Sequence, residues 1–227
     1  GFLKMRQRKS KRVLIYLFLL LLVGSINNIG LNNINFSNIS KIRVLGLGEE
    51  KNKFLLENIY DLNLGNILFI DENKIKKIIE TNSLVEKYDV FKIYPSDLYV
   101  NIQKTNFLAR INKNGANYII GSNGKLSDHE VYKESLPYIF GNPKIKEFLL
   151  FKSIIDASKF KYSRIENFYY FPTGRWDIEL KNSIVIKLPE QNVKDAIRLA
   201  FEFLNNKTLD EINLIDARVK NQIILND

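Results

Sequence analysis

Eleven apolar residues in unbroken succession, Val13 to Val23, come directly after a stretch that carries Lys4, Arg6, Arg8, Lys9, Lys11 and Arg12 and no acid. Gly24 to Leu31 adds no charge, so Val13–Leu31 offers nineteen residues for one continuous helix. At 1.5 Å per residue that is about 28 Å, close to the roughly 30 Å of a bilayer's hydrocarbon core. Cations placed directly before an apolar span hold the N-terminus in the cytoplasm and send the C-terminal part of the chain across the membrane. The expectation is a basic cytoplasmic tail over 1–12, a retained transmembrane helix over 13–31, and folded parts beyond it on the periplasmic side. The competing reading is a signal peptide cut near Val23-Gly24-Ser25.

The charge of +9 is largely a property of that tail. The first carboxylate is Glu49, and without the six tail cations the remaining 215 residues carry +3. A basic face on the folded part is therefore not indicated, which argues against a nucleic-acid partner. With no Cys and a single imidazole, His129, there is no disulfide framework, no thiolate zinc site, no cysteine nucleophile and no two-His metal site. No cofactor, metal or small-molecule substrate is expected.

The remainder divides in two. Residues 32–40 (NNINFSNIS) are polar and uncharged and read as a linker. Lys41–Leu47 alternates as a strand does, and Glu49–Leu62 carries Phe54, Leu55, Ile59 and Leu62 at helical spacing. Asp71 is a good N-cap for a second helix with Ile75, Ile78 and Ile79 on one face. Val90–Tyr94 and Leu98–Gln103 then read as strands joined at Pro95-Ser96-Asp97, which makes residues 41–105 a β-α-α-β-β unit. From 106 to 227 the punctuation is that of hairpins, with turns at Asn114-Gly115 and Ser122–Lys125. Helical patterns cover Pro143–Lys159 and Val193–Leu204. Phe168–Phe171, Trp176–Leu180 and Ile184–Leu188 read as strands, and Ile212–Leu225 is β-favouring with a break at Lys220-Asn221-Gln222. The fold class is α+β: a transmembrane helix, a small α+β domain, then a mostly β domain with two helices.

Several groups tempt a chemical reading, and a plainer account outweighs each. Gly46-Leu47-Gly48 lacks the third glycine of a dinucleotide fingerprint and serves as a turn into a helix. Asp128-His129-Glu130 points three neighbours in different directions and reads as an exposed loop. Asp177, Glu179, Glu211 and Asp216 could supply the two acids of a glycosidase, but strand alternation favours solvent-facing side chains. Trp176, the lone Trp, is a core anchor of its strand. Nothing assembles a nucleophile, a base and an oxyanion hole, so no catalytic residue is assigned.

Taken in order, several segments resemble the FtsQ/DivIB family of bacterial cell-division proteins. They are Ile42-Arg43-Val44-Leu45-Gly46, Gly65 to Asp71, Val90 to Pro95 with Leu98 to Ile102, Leu136-Pro137 with Gly141, Gly174 to Leu180, Ile186 to Glu190, and Ile215-Asp216-Ala217-Arg218. Ser183 stands where the family usually turns on Gly, and Lys220-Asn221-Gln222 replaces a common Pro/Asp/Arg-type turn. The resemblance implies a POTRA domain over 41–105, a β domain over 106–227, no enzymatic activity, and a septal scaffold in the inner membrane. It also implies partners of the FtsB and FtsL type, with other division membrane proteins, docked by β-strand addition. Carried over by motif, the docking edge comprises Arg218, Val219, Lys220, Asn221, Gln222, Ile223, Ile224 and Leu225. A terminal strand favours the same place, because its unpaired N–H and C=O groups are a template for another strand. The alternatives are an exported cell-wall hydrolase and a POTRA-type chaperone of a secretion system.

Overall fold

The computed structural model describes residues 3–26, 38–128, 135–158, 160–206 and 212–226. The chain is α+β, with the helix α1 (Leu3–Ile26) at its start and two sheets after it. The expected transmembrane helix needs correction: among the described residues no helix is long and apolar enough to cross a membrane. Lys4, Arg6, Arg8, Lys9, Lys11 and Arg12 fall within the first ten positions of α1, leaving fourteen residues, Val13–Ile26, for its apolar part. Fourteen residues reach about 21 Å, short of the roughly 30 Å required. Residues 27–31 of the expected span lie outside the described residues.

The smaller sheet contains β1 (Lys41–Leu45), β2 (Val85–Ile93) and β3 (Asp97–Lys104) in the order β1-β3-β2. β1 runs parallel to β3, and β2 antiparallel to it. Between β1 and β2 come α2 (Glu49–Tyr60), a single 3-10 turn at Ile67–Phe69, and α3 (Glu72–Thr81). Asp71 caps α3 as its side chain predicts, accepting from the Asn73 N–H at 3.1 Å. Alternation puts Ile42 and Val44 of β1, with Leu98, Val100 and Ile102 of β3, on one face. There they share a core with Leu55 and Ile59 of α2 and Ile75 and Ile79 of α3. The apolar run at Ile67–Ile70 is too short and too tightly bounded to join the sheet, and only Ile67 and Ile70 are buried.

Among the described residues nine strands make the larger sheet. In chain order they are β4 (Phe107–Lys113), β5 (Ala116–Gly121), β6 (Leu126–Asp128), β7 (Tyr138–Phe140), β8 (Ile165–Tyr170), β9 (Trp176–Leu180), β10 (Val185–Lys187), β11 (Leu214–Asp216) and β12 (Ile224–Asn226). In space they run β12-β11-β10-β9-β8-β7-β4-β5-β6. Asn114 and Gly115 both have positive φ, the geometry that a two-residue turn between β4 and β5 demands. The helices α4 (Ile145–Ala157) and α5 (Val193–Asn206) share one core with this sheet: Phe148, Phe151 and Ile155 from α4, Ile197, Ala200 and Leu204 from α5. Trp176 lies inside it, 5% exposed, with its ring stacked 4.7 Å from that of Phe151. Ser183, where a glycine is usual in the resembling family, accepts φ +67 in the β9–β10 turn.

Candidate functional site: an open strand edge

The nominated residues gather at one end of the larger sheet. β11 lies parallel to β10, with the Val185 N–H donating to Asn213 O at 3.0 Å and the Ala217 N–H donating to Lys187 O at 2.9 Å. These bonds aim the backbone groups of Asn213 and Ala217 at β10. Because successive residues of a strand alternate, those of Leu214 and Asp216 aim the other way, at β12. The antiparallel register is Leu214↔Asn226, Ile215↔Leu225 and Asp216↔Ile224. Ile224 and Asn226 therefore pair inward with β11, and the N–H and C=O of Leu225 face outward, where no further strand pairs with β12 among the described residues. The Leu225 side chain is 36% exposed opposite Ile215, which is completely buried.

Arg218 does not face that edge as a free cation. Its Nε donates to both carboxylate oxygens of Asp216, at 2.9 and 3.0 Å, and its backbone N–H donates to Oδ1 at 3.1 Å. These bonds, first the side-chain ones, hold the Asp216 carboxyl below its usual range. Val219, Lys220, Asn221 and Gln222 form an exposed turn, with Asn221 at φ +59 and the Gln222 N–H donating to Val219 O. Ile223 packs against the large core, and Ile224 is exposed. Of the nominated run only Ile224 and Leu225 lie in a strand, since the Asn221 conformation ends any extended path from Val219. Beside the turn is a groove of about 380 Å³ that reaches to Asp195 and Arg198 at the start of α5.

The carboxylates that sequence alternation leaves facing solvent are engaged with neighbours. Asp177 is buried, 4% exposed, accepting from the Leu188 N–H at 3.1 Å and pairing with Arg175 at 3.3 Å. Burial pushes its carboxyl up, against the opposing pull of that N–H and the nearby cations. Glu179 accepts from the Tyr169 hydroxyl at 2.6 Å and the Asn167 amide at 2.8 Å, which together hold its carboxyl low. His129, Glu130 and Glu211 lie outside the described residues.

The Tyr169–Glu179 bond predicts a pH signature. Hydrogen bonding to Glu179, then burial, pushes the Tyr169 phenol up to about 12. A raised pKa in the folded state gives stability that is complete below about pH 10 and lost as pH rises through about 12. Difference titration of phenolate absorbance should show one fewer late-ionising phenol in Tyr169→Phe. An unchanged alkaline limb would mean that the hydrogen bond is not formed in solution.

Two sheets with helices packed on each make an α+β protein, and its sequence matches proteins of bacterial cell division. Residues 109–218 match the family described as cell division protein FtsQ/DivIB, C-terminal. The chain is 21% identical to the cell division protein FtsQ of Bradyrhizobium diazoefficiens over 164 residues, covering 70% of this chain and 48% of that protein. It is 26% identical to the cell division protein DivIB of Bacillus subtilis over 171 residues, covering 74% of this chain and 64% of that one. The chain thus spans about half to two thirds of the length of these relatives. The similarity to the FtsQ/DivIB family is thus carried by residues 109–218, from β4 to Arg218, together with these two relatives.

Proposed function

We propose that the chain is a non-enzymatic scaffold of the division septum that holds a partner by adding its strand to the open side of β12. The observation that carries this reading is the outward-facing N–H and C=O of Leu225 on the last strand of the sheet. An extended partner segment of the FtsB type would bond there, and its apolar side chain would cover Leu225 and extend the core over Ile215. FtsL-type chains would join through the same assembly, and residues 41–105 would act as a POTRA-type unit beside it. The structural bonds made by Asp177, Glu179 and Asp216 favour this reading over a wall hydrolase.

Titrating the folded chain with a synthetic FtsB-type strand peptide tests it. The Leu225 amide should shift in the NMR spectrum and gain protection from hydrogen exchange. Lys220→Ala, at an exposed rim, should weaken binding by about 1 kcal/mol or less. Shifts concentrated on residues 41–105, with Leu225 unmoved, would overturn the assignment.

A further inference from the structure

The end of the large sheet opposite β12 is fastened to the smaller sheet. Only Thr105 and Asn106 separate β3 from β4, and by itself such a link sets a pivot and no particular angle. The angle is set by the turn between β5 and β6. From this turn Asn123 donates both amide hydrogens across the junction, to Ser83 O and Val85 O at 2.9 Å each. Lys125 reaches the end of α3, donating to Asn82 O at 3.2 Å and also to Glu80 O. These are carbonyls at a helix C-terminus, where a cation is favoured. The Ser122 and Thr105 hydroxyls both donate to one oxygen of Glu86, at 2.8 and 2.9 Å, and Ser127 bonds Ser83 at 2.9 Å.

Two features mark this contact as a built one. Thr105 and Ser127 are almost wholly buried, at 4% and 3% exposure, and each has a partner, as buried polar groups must. Gly121 is the second. A Cβ there would stand 2.6 Å from the Asn123 side-chain oxygen and 2.8 Å from the Thr105 hydroxyl, so a side chain at this position would displace the two groups that close the turn over the pivot. Apart from Phe107 of β4, which packs against the smaller core, the side chains that cross are polar and directional. Such a contact holds one geometry while closed and, unlike a fused apolar core, leaves each side folded when it opens.

We propose that the Ser122–Lys125 turn is a clasp: closed, it makes the two sheets one rigid body, and opened, it lets them pivot about Thr105-Asn106. The inference goes beyond the docking reading and does not depend on it, since the clasp and β12 occupy opposite ends of the sheet.

The absence of cysteine makes the test direct, because two introduced thiols are the only ones. The full chain would carry spin labels at Lys77→Cys on α3 and Lys194→Cys on α5, both exposed or half-exposed positions. Pulsed electron resonance should give one narrow distance. Asn123→Asp keeps the shape and turn chemistry but sets a carboxylate against two carbonyls, and should at least double the width of that distribution. Lys125→Ala should broaden it in the same direction, whereas Glu86→Gln, which keeps an accepting oxygen, should leave it narrow. Circular dichroism of each variant checks that both sheets remain, and if Asn123→Asp unfolds, Lys125→Ala decides. A broad distribution in the parent, or narrow ones in the folded clasp variants, would overturn the proposal.

Discussion

Leu225→Pro leaves the larger unit folded and weakens strand docking by at least about tenfold, roughly 1.4 kcal/mol. Proline removes an N–H, and at Leu225 that N–H faces the open side of β12, so no bond within the sheet is lost. The ring also stands where an approaching strand would lie. Ile224→Pro is the contrasting variant: its N–H pairs inward with Asp216, so the substitution undoes β12 itself. Calorimetric titration with the FtsB-type peptide, alongside circular dichroism, separates the two effects. Normal affinity in a folded Leu225→Pro chain would move the docking site away from this edge, and so would normal affinity after deletion of residues 223–227.

Gly46→Ala destabilises the smaller unit by about 3–5 kcal/mol, enough to unfold a sheet of three strands. Gly46 comes directly after β1 with φ +118, a conformation closed to residues with a side chain. A Cβ built there would lie 1.8 Å from the carbonyl oxygen of Ile102 in β3, which is backbone and cannot swing aside. The β1–β3 pairing would have to part at the point where the chain turns into α2. Thermal unfolding followed by amide exchange should show protection lost at Val44 and Val100 and retained at Ile178. Intact protection at Val44 would show that the chain can bend there at low cost.

The elements that obey a clean period were legible in the sequence. α3 shows its cap and its isoleucine face, and β9 alternates Trp176, Ile178 and Leu180 inward from its first residue to its last. The terminal edge was legible in place but not in orientation. Periodicity indicates where a strand runs; which backbone groups face outward depends on register, and that emerges only from the partners of Asn213 and Ala217. Asp177 misled for a related reason. In alternation a carboxylate between Trp176 and Ile178 reads as solvent-facing, but the Leu188 N–H that receives it, with Arg175 close by, lies eleven residues on, at a position no local pattern connects. The clasp was invisible too, because Asn123 and Lys125 in a turn signal only the turn, and their acceptors lie some forty residues earlier. For α1, hydropathy carried the expectation to Leu31, whereas the described helix runs from Leu3 to Ile26, with its cations inside the first ten positions, and residues 27–31 lie outside the described residues.

Trp176 gives the chain an optical label of its own. It is the single indole, enclosed by Phe148, Phe151, Phe168 and Tyr170 in the core of the nine-stranded sheet. Indole emission, excited apart from that of tyrosine, therefore reports on that sheet alone, blue-shifted while the ring stack holds and moving to the red when water enters. The three-stranded sheet has no indole and is dark to the same measurement, though not to circular dichroism. Melting curves recorded by the two methods superimpose when both sheets unfold in one step and separate when the smaller yields first, with no probe attached and no residue changed.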